Sequence, residues 1–519
     1  MSCNYDSIRA DNKKRYGTDI GRFGPMLLAD RYDNRTHFIY ELLQNAEDAL
    51  TRRNSWSGSR SVTFDLSNTK LRISHFGMPF TDADVKGICG IAESTKGLTS
   101  IGRFGIGFKS VYAFTDCPEI HSDAEHFAID SFVWPRAIPS TDAKPGETTF
   151  ILPLRPTDSE AHSEIVAGLR RLDLRTLLFL QEIEEISWSV EGGSSGLYLR
   201  NKSEPFGENA RKVVVIGEET GVSDLTEETW LVFSREVCTV DAFKVGNVEV
   251  AFALGKREEK DSPSVCSIDD STLVVFFPTI VPTNLGFLVQ GPYRTTPSRD
   301  NVPHNDLWNQ HLLKETATLL TDALRTLRDK NMLDTNTLRS LPLDRSKFGE
   351  GSIFAPLFES VRTALINEPL LPRFNHGHTP ARIARLARTQ ELRELFNPSQ
   401  LASILQEKRA VWLREDITQD RTPELRRYLM QELGIPEITP ETILLKLTRE
   451  FLESQSDNWI VKLYTFLNGQ PAFLRQHRLD GVPFIRLKDG THVSAYAGVH
   501  NPEKILFPQV LFKLMTLVQ

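Results

Sequence analysis

The chain has 519 residues, 40% of them hydrophobic and 25% charged, with a formal net charge of -7. That length is too great for one hydrophobic core and implies about two to four domains. The ordinary composition excludes a disordered chain, and the mild acidity supplies no global field for nucleic acid or an anionic membrane.

The first residues, MSCNYDSIRADNKKRYG, are too polar for a signal peptide. Next, HFIYELLQNAEDAL at 37–50 predicts a helix, with Phe38, Leu42, Ala46 and Ala49 on one apolar stripe. VTFDL (62–66) and KLRISHF (70–76) alternate like strands around a turn at Ser67-Asn68, and TTFILPL (148–154) is a further strand. A helical stretch from about Ser159 to Leu180 follows.

From about Glu185 the pattern changes to strands. EISWSV and GLYLR flank GGSSG (192–196), and KVVVIG, TWLVFS, VEVAFAL and STLVVFFP continue the series. GGSSG satisfies G-x-S-x-G, but strand-like runs on both sides make it a hairpin turn rather than a nucleophile elbow. LVVFFPTIVP (273–282) is too short to span a bilayer, and no membrane partner is expected. A helix over 306–329 closes this region.

Beyond about Leu341 the sequence is helix-rich. Thr379-Pro380 offers a cap and a first-turn proline for the helix ARIARLARTQELRELF, on which Arg382, Arg385 and Arg388 form a basic stripe, by default a solvated face. His376 and His378 are too isolated a pair for a metal site. Asp489-Gly490 predicts a two-residue hairpin. The apolar end, KILFPQVLFKLMTLVQ, either docks on the body or marks the chain as a piece of a longer protein. Five scattered cysteines without C-x-x-C spacing argue against a disulfide framework or zinc, and fit a cytoplasmic location.

Chemistry concentrates in the first region. Glu41, Asn45 and Asp48 stand at i, i+4 and i+7, so a helix projects them from one face. The amide oxygen of Asn45 suits Mg²⁺, and the carboxylate of Glu41 suits the polarising of a water. Alone, such a triplet reads as a solvated polar face. GRFGIGFKS (102–110) is glycine-rich, but Phe108 between Gly107 and Lys109 breaks the Walker spacing, and the polar AESTKGLTSI before it lacks the required strand.

The ordered set ELLQNAEDAL, ISHFGMPFTDADV, STK, IGRFGIGFKSVY and TTFILPL resembles the GHKL ATPase superfamily, above all its chaperone-like branch with sacsin and large bacterial ATP-binding proteins. The resemblance implies ATP and Mg²⁺ as cofactors. It implies Glu41 as general base, Asn45 as metal ligand, Asp48 as supporting acid, and Thr148 as the threonine that helps hold adenine through water. It implies that Gly102, Gly105 and Gly107 let the backbone approach the triphosphate, with Lys109 adding charge and Lys96 lying in a short lid. One departure stands out. The adenine-reading D-x-G-x-G is here His75, Phe76, Gly77, Met78, Pro79, so the aspartate is replaced by histidine and base specificity is in question. Further on, Ser298-Arg299-Asp300 resembles the middle-domain triplet whose arginine reaches the γ-phosphate; Arg299 is the candidate, with Arg294 second, and the alternative is an arginine paired in a surface loop.

The expected fold is α+β. A GHKL α/β sandwich over 1–185 is followed by an α+β middle domain over 186–335 with the sensor arginine, then a mostly helical region over 336–519. The expected function is slow ATP hydrolysis driving a chaperone-like or remodelling cycle, in bacterial defence among other settings. A protein client, and a homodimer, are the expected partners. Two alternatives stay open: an ATP-gated DNA clamp of the MutL or MORC kind, which the acidic balance disfavours, and a non-hydrolysing nucleotide sensor. A sensor histidine kinase would need a phospho-accepting hairpin upstream, for which the 36 residues before His37 leave little room.

Overall fold

The computed structural model describes residues 3–21, 35–91, 107–141, 144–221, 225–239, 243–257, 260–296, 301–470, 479–494 and 504–506. The chain divides into two compact units, Met1–Leu320 and Thr321–Gln519. The architecture is α+β: a large mixed sheet with many helices.

In the first unit the helices are α1 (Tyr5–Tyr16), α2 (Phe38–Arg52), α3 (Asp82–Cys89) and α4 (Ala161–Leu169). The strands are β1 (Ser61–Leu66), β2 (Lys70–His75), β3 (Glu119–Ser122), β4 (Glu125–Asp130), β5 (Trp134–Ala137), β6 (Thr148–Pro153), β7 (Glu185–Val190) and β8 (Ser195–Arg200). They continue with β9 (Glu204–Gly207), β10 (Ala210–Glu219), β11 (Thr226–Cys238), β12 (Lys244–Arg257), β13 (Lys260–Cys266), β14 (Thr272–Val275), β15 (Phe277–Pro282) and β16 (Leu288–Gln290).

All sixteen strands belong to one sheet, ordered β15-β14-β16-β12-β11-β10-β8-β7-β1-β2-β6-β3-β4-β5, with β13 on β12 and β9 on β10. The turn at Ser67-Asn68 makes β1 and β2 an antiparallel pair, and the GGSSG turn does the same for β7 and β8, with Gly192 at φ 67°. β1 and β7 run parallel, so the sheet passes without a break through residue 185.

Alternation explains which face is covered. Val62, Phe64 and Leu66 of β1 are buried, while Asp65 between them is exposed. Against that face pack Phe38, Leu42, Leu43, Ala46 and Leu50 of α2, and the same apolar cluster runs on to Trp230, Val274, Phe277 and Leu288. The ring of Tyr40 lies 5.1 Å from that of Phe277.

Glu47 ties this helix to the chain entering β7. Its buried carboxylate accepts the N–H groups of Gln181 (2.5 Å), Glu182 (2.9 Å) and Ile183 (2.9 Å). Burial pushes its pKa up against the pull of those donors and of Arg200.

In the second unit, helices such as Ala355–Asn367, Pro423–Gln431 and Asp457–Asn468 alternate with two- to four-residue strands. A hairpin forms at Asp489-Gly490, with Gly490 at φ 88°, but Leu487 bonds Thr491 and the loop has three residues, Lys488 to Gly490, not two. The helix expected from Thr379 does not. Residues Ala384–Ala387 are a strand with parallel neighbours on both sides, and the helix begins at Gln390. Three consecutive buried residues, Ala384, Arg385 and Leu386, suit a covered strand and not a one-sided helix. The basic stripe dissolves with it: Arg382 bonds Asn367, Arg385 pairs with Glu407, and Arg388 with Glu437. Among the described residues no helix is long and apolar enough to cross a membrane.

Replacing Glu47 strands buried N–H donors, each costing about 1–3 kcal/mol. Glu47→Ala is therefore expected to lower urea-unfolding stability by on the order of 3 kcal/mol, against almost nothing for Asp65→Ala on the exposed face; equal midpoints for the two variants would mean the 181–183 amides need no carboxylate.

Candidate functional site

From Glu41 to Leu50, helix α2 is buried at every position except Glu41, Asn45 and Asp48, which are half-buried. A solvated polar face would be exposed. This one is half-buried, and a glycine stands close to the helix at either end.

At the N-terminal end stands Gly107, which opens the 3₁₀ turn Gly107–Ala113. A Cβ added there would sit 2.0 Å from Oε2 of Glu41, so only glycine lets the carboxylate occupy its position. The other oxygen, Oε1, is 3.0 Å from Nε2 of His37, one helical turn back. Both side chains are largely shielded, at 11% and 13% exposure. His37 carried a readable signal, its i-4 spacing from Glu41, that the sequence analysis did not take up.

At the C-terminal end stands Gly77. A Cβ there would lie 2.4 Å from Cβ of Ala49 and 2.9 Å from its carbonyl carbon. The Met78 N–H donates to the Ala49 carbonyl (2.8 Å). Arg53 donates to the carbonyls of Phe76, Gly77 and Gly146 while its guanidinium stacks 3.5 Å from the Trp56 ring. The turn after β2 is thereby clamped onto the helix.

His75, the last residue of β2, is 2% exposed. Its Nδ1 accepts the N–H of Gly77 at 3.0 Å. Burial, with Arg52 and Arg53 nearby, pulls its pKa down to about 4, so the ring is neutral at pH 7. Across the sheet His75 is paired with Thr148, and Thr148 with Ser122. Thr148 is fully buried, its Oγ1 2.6 Å from Oγ of Ser122, which also accepts the Phe80 N–H.

Lys109 is directed into the core. Its buried Nζ donates to the Phe132 carbonyl at 2.5 Å, between the rings of Tyr112 and Phe132, and burial pulls its pKa down to about 8. Arg294 is half exposed and pairs with Asp306 at 3.2 Å. Lys96, Gly102, Gly105 and Arg299 lie outside the described residues. The structure thus brings Glu41, Asn45, Asp48, Gly77, His75, Thr148 and Gly107 around one helix and the strand ends beside it, and leaves Lys109 in the core.

One comparison with known proteins overlaps these residues. The Sacsin domain family model matches residues 73–134. The chaperone protein HtpG of Sulfurovum is 29% identical over 136 residues, 21% of this chain and 22% of that protein. Human sacsin is 29% identical over 114 residues, 18% of this chain and 2% of sacsin. The protein NO VEIN of Arabidopsis thaliana is 28% identical over 497 residues, covering 86% of this chain but 17% of NO VEIN. The chain thus spans less than a quarter of each of these relatives. Together the matches show a likeness to HtpG- and sacsin-related proteins, at low identity and over part of each.

The two glycines should behave differently. Gly77→Ala meets backbone and is expected to destabilise by about 1–3 kcal/mol, whereas Gly107→Ala meets the movable end of Glu41 and should leave the melting temperature near wild type. The reverse order in thermal denaturation would contradict the contacts described. His75 adds a pH signature. Its native pKa lies below the unfolded value, so the unfolded chain takes up the extra proton. Stability is full above about pH 6.5 and falls by on the order of 3 kcal/mol as pH drops to about 4. Urea unfolding of His75→Asn across this range should lack that slope.

Proposed function

We propose that the first region binds ATP with Mg²⁺ and hydrolyses it, and that the work done is conformational, of a chaperone-like kind. One observation carries the reading: a helix buried at every other position from Glu41 to Leu50 keeps an acid, an amide and a second acid half-covered on a single face, between two glycines that stand where a side chain would intrude.

In this reading Glu41 takes the proton of the attacking water. The water oxygen bonds to the γ-phosphorus, the bond from that phosphorus to the β-phosphate oxygen breaks, and ADP and phosphate result. His37 holds the carboxylate in line. Asn45 would hold Mg²⁺ through its amide oxygen, a donor that suits a hard cation. The bound ion would neutralise phosphate charge. Asp48 supports Asn45 one turn on. Backbone N–H groups at Gly102, Gly105 and Gly107 hold the triphosphate, with Lys96 in the same stretch. Lys109 has no part in it, because its amine is spent on the Phe132 carbonyl.

The stabilising arginine comes from the middle region, Arg299 first and Arg294 second. In support, the segment leading to them leaves β16 beside Val274, whose strand turns directly into Phe277, the ring that meets Tyr40 next to Glu41. Likeness to a protein named as a chaperone supports the class. A non-hydrolysing nucleotide sensor is the second reading, favoured by the neutral histidine at the base-reading position.

The test is steady-state ADP release alongside nucleotide binding. Glu41→Ala should bind ATP within a few-fold of wild type and lose about 10²–10⁴ in turnover. Gly107→Ala should follow it, because its methyl displaces the same carboxylate. Arg299→Ala should also slow release. Equal turnover in all four proteins would reject these roles, and wild-type binding without turnover would select the sensor.

A further inference from the structure

The departure at His75 has chemical content. A neutral imidazole has one acceptor nitrogen and one N–H. The Gly77 N–H claims the lone pair of Nδ1, so the proton resides on Nε2. The ring cannot easily turn over to exchange these roles. Phe150 stacks against it at 6.0 Å, and the turn carrying Gly77 is fixed by the Ala49 carbonyl and by Arg53. The hydroxyls beside it, Ser122 and Thr148, are bonded to each other. His75 makes no other hydrogen bond among the described residues, so its Nε2–H has no protein acceptor there.

A carboxylate at this position accepts a hydrogen bond from a 6-amino group. An Nε2–H facing the same group would set donor against donor. We infer that His75 is a specificity-determining donor and that the site takes purine triphosphates with an acceptor on the six-position edge, 6-oxopurines such as inosine or guanosine triphosphate, in preference to ATP. This rests on the nucleotide reading of the groove given above.

The experiment is calorimetric binding of ATP, inosine triphosphate and purine riboside triphosphate, which lacks the 6-amino group, to the wild-type chain and to His75→Asp. Wild type should bind inosine triphosphate about ten-fold tighter than ATP, the effect of trading an unpaired donor for one hydrogen bond. Deleting the 6-amino group should cost nothing, and His75→Asp should reverse the preference. A wild-type chain that binds ATP tighter than both analogues overturns the donor assignment and leaves the nucleotide reading intact. Failure to bind any purine triphosphate removes the nucleotide reading and this inference with it. Should His75→Asp not fold, the wild-type comparison of ATP with the 6-unsubstituted analogue decides alone.

Discussion

The arrangement depends on one close approach: a carboxylate oxygen of Glu41 occupying the space where any residue but glycine at 107 would carry its Cβ. A charged group at this depth must be either fully paired or poised to act. The imidazole of His37 meets one oxygen, and the missing side chain at Gly107 makes room for the other. Everything else in the first region serves to keep that approach: the sheet under α2, the second glycine at the far end, and the clamp of Arg53.

The large sheet gives this local geometry a wider setting. Strands β7 and β8 carry the hydrogen-bonded ladder from the half that holds α2 into the longer antiparallel strands β10, β11 and β12, and one apolar cluster lies beneath both. A shared core of this kind resists hinge motion near residue 185, because separating the halves would expose Trp230 and Phe277 to water.

Much of this was legible in the sequence, for physical reasons that differ by element. Helix α2 has a strong period because one side is packed against a sheet, and the same period isolates Glu41, Asn45 and Asp48. Hairpins at Gly192 and Gly490 declare themselves because their backbones need positive φ. The stretch after Thr379 misled because Arg382, Arg385 and Arg388 repeat every third residue, a helical spacing; pairing with two parallel neighbours in space, which no local window contains, makes it a strand. Lys109 misled because a lysine beside glycines suggests phosphate, whereas a long apolar stem can as well carry its amine inward to a carbonyl. The tautomer of His75 was out of reach of the sequence, since it is set by a single backbone N–H.

Glu47 gives the helix a property that its packing alone does not. Apolar side chains can slide or roll by small amounts at little cost, but a carboxylate seated on three consecutive amides cannot. One residue of register is a 100° turn about the helix axis, and even a fraction of it would pull Glu47 off its seat on one flank while swinging Glu41 away from Gly107 on the other. The helix is thus keyed against torsion, like a shaft pinned in its bearing, and that pin fixes the azimuth at which the acid and the amide meet whatever they bind.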